Sequence, residues 1–244
     1  MVEAWSLNIN RGIDNDSGAE FISRLDDIFN DARPDVVFLQ EVPLTQGDVT
    51  KDLLVGLNAL GLKHVVSYSL EPIWLNVEGD TAGVAIASSS PLTEVRYDQL
   101  ANPNLRGPGE RSNQVTFDKG VVSVTMTVGE KSLRLGCTHL IPFRRFGVSP
   151  NSPSVRRMWG SFEAILDTEE WHMVAGDFNM THNVPLRSIL GSYDPYPGDG
   201  RPTTAWAQSH DRIYTRRPLR IARGQVRPTP SDHSAVGVIV TFDD

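Results

Sequence analysis

Short apolar runs alternate with amphipathic stretches along the first quarter of the chain. Residues 2–9 and 36–40 have the length and the apolar content of buried strands. Between them, residues 20–30 place apolar side chains at helical spacing, and residues 49–60 do the same before Gly61. The order of strand, helix and strand predicts a βαβ-like beginning.

The remaining three quarters of the chain are mostly strand-like. Further strands are predicted at residues 64–68, 83–88, 121–128, 132–138, 171–175, 211–215, 219–226 and 235–242. Residues 154–166 carry an apolar stripe at helical spacing and predict a helix. Loops rich in Pro, Gly and Asn are expected at residues 102–109 and 192–202. Since no linker or repeat interrupts this pattern, we predict a single domain over residues 1–244.

Chemically active side chains come directly after several of the predicted strands. They occur in Gln40-Glu41, Thr138-His139, Gly176-Asp177-Phe178-Asn179 and Ser231-Asp232-His233. A carboxylate or a histidine after a strand can simply begin a turn, but these segments together supply carboxylates, amides and imidazoles. A hard cation and a phosphoryl group need this combination of ligands, so the pattern indicates a hydrolytic enzyme.

Composition and charge narrow the classes of protein. Cys137 is the only cysteine, which excludes an internal disulfide and a cysteine-rich zinc site. The net charge of −7 argues against a broad surface that coats a polyanion. The N-terminus lacks a basic segment followed by an apolar one, and no run approaches the ~20 apolar residues of a membrane span. We therefore expect a soluble, cytoplasmic and monomeric protein.

Six short segments, in order, resemble the motifs of the endonuclease/exonuclease/phosphatase superfamily. They are Leu7-Asn8-Ile9-Asn10, Leu39-Gln40-Glu41, Thr138-His139-Leu140, Gly176-Asp177-Phe178-Asn179, His210-Asp211-Arg212-Ile213 and Ser231-Asp232-His233. The resemblance spans residues 5–239. It implies an α/β (α+β) fold, a four-layer α/β/β/α sandwich in which two packed mixed β-sheets are flanked by helices. It also implies that the site lies at one end of the sheets.

The resemblance further implies a metal centre. Glu41 matches the metal carboxylate of the family, Asp232 would be a second acidic ligand, and Asn10 lies where the family often has Asp. An amide at Asn10 removes one anionic ligand, which argues against a fully occupied two-metal site. Mg²⁺ suits a few carboxylates together with waters and a substrate phosphate, and Mn²⁺ could substitute for it.

The same resemblance assigns catalytic roles. Asp177 would orient or deprotonate the attacking water, and Asn179 would contact the phosphate. His233 and Asp211 would form an imidazole–carboxylate pair, and His139 would donate to the phosphoryl oxygens as charge develops. The implied reaction is an in-line attack of water on phosphorus without a covalent enzyme intermediate.

Substrate contacts are less constrained by the motifs. Asn8 matches a family position near the site, and Asn179 serves both catalysis and substrate binding. The loop at residues 141–153 carries Arg144 and Arg145 for backbone phosphates. Its phenylalanines could stack on an unpaired base. They are Phe143 and Phe146.

Three classes of function follow from these motifs. A nuclease-like phosphodiesterase acting on nucleic acid comes first. Thr138-His139-Leu140 resembles the branches that hold deoxyribonucleases, sphingomyelinases, deadenylases and tyrosyl-DNA phosphodiesterases, and it differs from apurinic endonucleases. A phosphatase or a phospholipase-C-like enzyme for inositol phosphate or sphingomyelin is the alternative. That alternative needs a narrow pocket or an exposed apolar hairpin, for which residues 70–76 with Ile73 and Trp74 are a short candidate. A non-catalytic phosphate-binding module is the third class, and it would be expected to lack several motif residues.

Overall fold

Two β-sheets make up most of the molecule. The structure, a computed structural model, describes residues 1–10, 25–29, 32–72, 80–109, 113–168, 170–181, 184–198 and 201–243. Within these ranges the strands are β1 Val2–Asn8, β2 Val36–Thr45, β3 Asp48–Val49, β4 His64–Pro72, β5 Asp80–Ser88, β6 Leu92–Gln99, β7 Gly120–Val128, β8 Lys131–His139, β9 Met173–Asp177, β10 Asp194–Tyr196, β11 Asp211–Thr215, β12 Leu219–Arg227 and β13 Ala235–Phe242.

Helices occupy the connections between the strands. Among the described residues, the α-helices are α1 Leu25–Phe29, α2 Lys51–Ala59, α3 Arg156–Leu166 and α4 Val184–Ile189. Short 3₁₀ turns lie at Phe143–Phe146 and Pro153–Val155. Among the described residues, no helix is long and apolar enough to cross a membrane.

Both sheets are mixed. The first has the order β12-β13-β1-β2-β5-β4, with β3 paired to β2, and its strands β1 and β2 are parallel. The second has the order β10-β11-β9-β8-β7-β6, with β8 and β9 parallel. In each sheet the parallel pair lies centrally, so the carboxyl ends of β1, β2, β8 and β9 can meet at one end of the molecule.

Three apolar cores define four layers. The core between the sheets includes Val36, Phe38, Val84, Ile86, Val122, Val124, Leu133 and Leu135. Helices α1 and α2 cover the outer face of the first sheet, where Leu25, Phe29, Leu53 and Leu57 pack with Trp5 and Leu39. Helices α3 and α4 cover the outer face of the second sheet, where Met158, Phe162 and Leu186 pack with Trp171 and Val174. The predicted α/β/β/α sandwich is confirmed.

Some elements of the fold have no signal in the pattern of apolar residues. Strand β6 was not predicted, because most of its side chains are exposed and no apolar alternation marks it. Strand β10 lies inside the loop expected at residues 192–202, and α4 was also missed. Of the helix expected at residues 20–30, the described part is 25–29, and residues 73–79, which include Ile73 and Trp74, lie outside the described residues.

Candidate active site

Side-chain alternation sends polar residues from both sheets into the same end of the inter-sheet layer. In β1, Val2 and Ala4 face the second sheet, so Asn8 faces it too. The same alternation turns the last residue of β8 and of β9 inward. These residues are His139 and Asp177, which are opposite each other in the parallel register. The strands therefore bring an amide, an imidazole and a carboxylate together.

Asn8 joins the two sheets at this end. Its Nδ2 donates to Asp177 Oδ2 at 3.0 Å and lies 3.3 Å from Glu41 Oε1. Its Oδ1 accepts from the backbone N–H of Asn10 at 2.9 Å. The Asn8 side chain is fully buried, so these hydrogen bonds fix the positions of two carboxylates from different sheets.

Glu41 reaches the site through a β-bulge. The pairing of β2 with β5 shifts register between Gln40 and Val42, and Glu41 has a left-handed φ of 52°. Leu39 and Val42 both pack in the core between the first sheet and its outer helices. In a regular strand, residues three apart would lie on opposite faces, so the bulge breaks the alternation here. A regular strand would send the Glu41 carboxylate toward the outer helices. The bulge turns it toward the inter-sheet layer instead, where Asn8 meets it.

Gly176 permits the close approach of β8 and β9 just before Asp177. It has a φ of 155°, and a Cβ at this position would lie 1.9 Å from the carbonyl oxygen of Thr138.

Gly176→Ala is expected to lower Tm by about 10 °C, because overpacking and backbone strain each cost about 1–3 kcal/mol. Thermal unfolding followed by circular dichroism measures this. The control is Gly160→Ala in α3, where no side chain and no backbone of another element lies within 4 Å of the added Cβ, so Tm should not fall. Equal Tm values for wild type and Gly176→Ala would contradict the packing argument.

Asn179 closes the turn that follows Asp177. Its backbone N–H donates to Asp177 Oδ1 at 2.7 Å, and its φ is 54°. Its Nδ2 donates to the carbonyl oxygen of Leu140 at 2.8 Å. An amide nitrogen has two N–H groups, so the second is the one that can reach a phosphoryl oxygen in the cleft that Asn179 lines.

His233 is held by a carboxylate at the start of β11. Its Nδ1 lies 2.8 Å from Asp211 Oδ2, and Thr203 Oγ1 donates to the same oxygen at 2.7 Å. Burial opposes the charge on His233, but the hydrogen bond to Asp211 and the negative charges of Asp211, Asp177 and Asp232 raise its pKa to about 10. The paired imidazole therefore carries a positive charge at neutral pH, with Nε2 directed toward Asp177 at 3.8 Å from its Oδ2.

Asp177 is the centre of this arrangement. It is fully buried, and its Oδ2 lies 3.6 Å from His139 Nε2. Burial raises its pKa, and the neighbouring charge of Asp211 raises it further, whereas His233 and His210 lower it. A carboxylate held in these surroundings can accept a proton from water more readily than an exposed one.

Two groups of oxygen and nitrogen ligands could hold a cation. Asp177, Asp211 and His233 have ligand atoms within 4.8 Å of one another, but His233 Nδ1 and Asp211 already bond to each other. Glu41 and Asp232 line the cleft and are partly exposed, which leaves them room for the waters that Mg²⁺ retains. Each of these two carboxylates thus offers the cleft oxygen ligands of the kind that a hard divalent cation prefers.

The cleft at this site has a volume of about 190 Å³ and opens to solvent. Among the described residues, its lining includes Arg145 but neither Arg144 nor Asn10. The charge of Arg144 instead acts on His210, where it adds to the effect of burial in lowering the pKa of that histidine. Of the predicted positions, Arg145 thus lies beside the site. Asn10 contacts the site through its backbone N–H, which donates to Asn8 Oδ1.

The phenylalanines proposed for base stacking are buried. Phe143 is 1% exposed and packs on Trp159 with ring centroids 5.8 Å apart, so its stacking assignment was wrong. Phe146 is also buried, although it contributes to the cleft lining. Both side chains belong to the core beneath α3, and Phe143 presents no open ring face to a base.

Two residues near the site were missed by the sequence analysis. His210 was given no role within its motif, but its ring centroid lies 6.4 Å from that of His233. Trp206 lines the cleft and contacts His233 edge-to-face at 6.0 Å. The position of His210 directly before Asp211 was the available indication. Trp206 had none, because it lies in a loop with no apolar periodicity.

Comparison with known proteins agrees with this geometry. The model of the Endonuclease/Exonuclease/phosphatase family matches residues 5–233. By sequence, no curated protein gives a significant match. Among solved structures, an endonuclease/exonuclease/phosphatase from Beutenbergia cavernae is similar with a TM-score of 0.75 and 21% identity, covering 99% of this chain and 71% of that one.

Two further structures show how widely the fold is used. The human Nocturnin catalytic domain with bound sulfate anion has a TM-score of 0.69 and 16% identity, covering 99% of this chain and 93% of that one. Sphingomyelinase C from Streptomyces griseocarneus has a TM-score of 0.57 and 18% identity, covering 97% and 98%. At these identities the similarity establishes the fold alone.

Proposed function

Because the chain belongs to the endonuclease/exonuclease/phosphatase family, we propose that it is a Mg²⁺-dependent phosphodiesterase acting on nucleic acid. One observation carries this proposal. Four side chains converge in the cleft, and each has an atom within 4 Å of another member of the group. They are Asn8 and Glu41 from the first sheet and His139 and Asp177 from the second. Phosphoester hydrolysis needs this combination of acid, base and charge-stabilising groups in one cleft.

Glu41 and Asp232 would hold the metal ion. When bound, a divalent cation neutralises charge on a phosphoryl oxygen and orients the substrate. The remaining negative charge of the site belongs to Asp177 and Asp211, which are both buried. The positive charge of His233 lies beside both carboxylates, and Asn8 donates a hydrogen bond to Asp177. Binding of a cation by Glu41 and Asp232 would therefore leave Asp177 available as a base.

The chain's own residues would perform the proton transfer and the stabilisation of charge. Asp177 accepts hydrogen bonds from Asn8 and from the backbone of Asn179, which fixes both carboxylate oxygens for orienting a water. The cationic His233 and the neighbouring His139 would donate to phosphoryl oxygens as negative charge develops in the transition state.

An exposed basic residue at the cleft favours a strand of nucleic acid over an isolated phosphomonoester. Arg145 lines the cleft and is exposed, and the buried Lys119 adds positive charge to the same lining, although the chain as a whole is acidic. The guanidinium of Arg145 can contact a phosphate next to the one being cleaved. We therefore rank nucleic acid above inositol phosphate and sphingomyelin as substrate.

A substrate panel tests this proposal. Purified protein is incubated in Mg²⁺, Mn²⁺ or EDTA with single- and double-stranded DNA, RNA, a 5′-tyrosyl oligonucleotide, an inositol phosphate and sphingomyelin. Metal-dependent cleavage of an oligonucleotide is the expected result. Release of phosphate or phosphocholine from only the inositol or lipid substrate would contradict the choice of nucleic acid and support the phosphatase or phospholipase alternative.

Glu41→Gln is expected to raise the Mg²⁺ concentration for half-maximal activity by about tenfold or more, because a charged ligand is replaced by a neutral one. The same variant should weaken Mn²⁺ binding in calorimetry without substrate. The control is Glu130→Gln, at the exposed turn between β7 and β8 and thus at the opposite end of β8 from His139. Equal metal dependence of Glu41→Gln and wild type would exclude Glu41 as a ligand.

A further inference from the structure

Trp206 presents a large apolar surface at the cleft. Its side chain is 51% exposed, although it lines the cleft that contains His139, Asp177 and His233. A single exposed hydrophobic residue is ordinary on a protein surface and needs no explanation. Trp206 differs because its exposed face is directed to a site at which a substrate must bind.

A tightly bonded loop keeps Trp206 in this exposed position. The N–H of Ala207 donates to the carbonyl oxygen of Thr204 at 3.0 Å, and the N–H of Gln208 donates to Thr204 Oγ1 at 3.0 Å. On the other side, the N–H of Ala205 donates to the carbonyl oxygen of Asp232 at 2.8 Å. The loop is therefore fixed both to itself and to the segment that carries Asp232, one of the two proposed metal ligands. The indole is thus held in position before a substrate binds.

Trp206 also lies beside the reacting groups. Its ring meets that of His233 at 6.0 Å with an interplanar angle of 85°, so the two rings are nearly perpendicular. A group bound on the exposed part of the indole would be adjacent to a phosphate contacted by His233. The substituent on the scissile phosphate is the part of the substrate that reaches this position.

The charges of the cleft bear on which flat or apolar substituent fits. A quaternary ammonium headgroup could also bind an indole face, and the carboxylates of Glu41 and Asp232 in the same lining would attract it. Such a headgroup brings a single phosphate, whereas Arg145, exposed at the same cleft, can contact a second phosphate of a strand. A nucleobase carried on a strand therefore uses both the indole and Arg145.

From these contacts we infer that Trp206 stacks on the base of the nucleotide at the scissile phosphate and selects unpaired nucleotides. This inference rests on the proposed function and names its substrate class. A base inside a duplex is already stacked and paired, so its face is not open to an indole. The favoured substrates are therefore single strands and unpaired ends.

The test compares a normal single-stranded oligonucleotide with the same strand carrying abasic residues, in Mg²⁺. Base–aromatic stacking typically changes affinity by on the order of 10- to 100-fold. Trp206→Ala is expected to lower kcat/KM by this factor on the normal strand, chiefly through KM, and to change the abasic strand much less. Trp206→Phe should recover most of the loss, because it restores an aromatic face.

Tyr97→Ala is the matched control. Tyr97 is 50% exposed and its ring packs on that of Tyr68, but it lies on the edge strand β6 and does not line the cleft. This variant should cleave both strands as the wild type does. It separates the loss of an exposed aromatic residue in general from the loss of the one beside His233.

Several results would overturn the inference. Equal losses on both strands in Trp206→Ala would show that the indole only supports His233, and equal cleavage of both strands by wild type would exclude a base contact. In either case, metal-dependent cleavage of the strands leaves the proposed phosphodiesterase function intact. Failure of wild type to cleave any oligonucleotide, with or without phosphocholine release from sphingomyelin, would overturn both proposals.

Discussion

Asp177→Asn is expected to slow metal-dependent phosphodiester hydrolysis by about 10³-fold or more, as is typical for loss of a positioned general base. The substitution keeps the shape of the side chain but removes its proton-accepting charge. It also places an NH₂ group against either the Asn8 amide or the Asn179 N–H, both of which donate to Asp177 now. Single-turnover cleavage of an oligonucleotide at saturating Mg²⁺ measures the effect.

The fold should survive this substitution. Removing one of two buried, neighbouring carboxylates relieves their repulsion, which offsets the new contact between donors. We expect Tm in EDTA to stay within about 4 °C of wild type. Asp194→Asn is the control, because Asp194 is exposed and pairs with Thr215 at the other end of β11 from Asp211. Wild-type rates in Asp177→Asn would remove Asp177 from the mechanism.

His233→Ala and Asp211→Asn are each expected to lower the rate by on the order of 10²–10³-fold, the usual effect of losing a charge-stabilising donor. Asp211 acts through the imidazole, since its Oδ2 lies 2.8 Å from His233 Nδ1. The double variant should therefore be little slower than His233→Ala alone. Measuring kcat for the four proteins completes the cycle.

His64→Ala is the control for this cycle. His64 begins β4 opposite Ser88, which pairs with Val36 at the start of β2, so it lies at the end of the first sheet away from Glu41. Its activity should equal that of wild type. If the losses from His233→Ala and Asp211→Asn multiply in the double variant, the two residues act independently and the proposed pair is wrong.

Much of the fold and of the site could be predicted from local pattern. Apolar runs located the central strands β1, β2, β8 and β9, because strands buried on both faces are rich in apolar residues. The side-chain period of two then orients the last residue of each strand. That period is sufficient to turn Asn8, His139 and Asp177 to the same layer once the sheets are packed.

The position of Glu41 could not be derived in this way. By alternation its carboxylate would face the outer helices, and only the bulge opposite β5 turns it into the site. A bulge depends on pairing with a partner strand that is distant in sequence. Glu41 could be assigned from sequence only because it matches the family motif, and the physical reason for its position, the β-bulge, appears only in three dimensions.

The missed elements share a physical cause. Strand β6 lies at the edge of its sheet with most of its side chains in solvent, so no apolar periodicity is required of it. Trp206 lies in an irregular loop whose hydrogen bonds run to the segment around Asp232, and its exposure follows from those bonds. The phenylalanines of the loop at residues 141–153 seemed available for stacking because sequence alone does not show which side of a loop faces the core.

Cleavage of one labelled single-stranded oligonucleotide by the purified wild-type protein, followed first in Mg²⁺ and then in EDTA, tests directly whether the cleft between the two sheets is a metal-dependent phosphodiesterase site. If it is, the strand is cut in Mg²⁺, cleavage stops in EDTA, and excess Mg²⁺ restores it. An intact strand in both Mg²⁺ and Mn²⁺, or cleavage that continues unchanged in EDTA, would show that the cleft is not such a site.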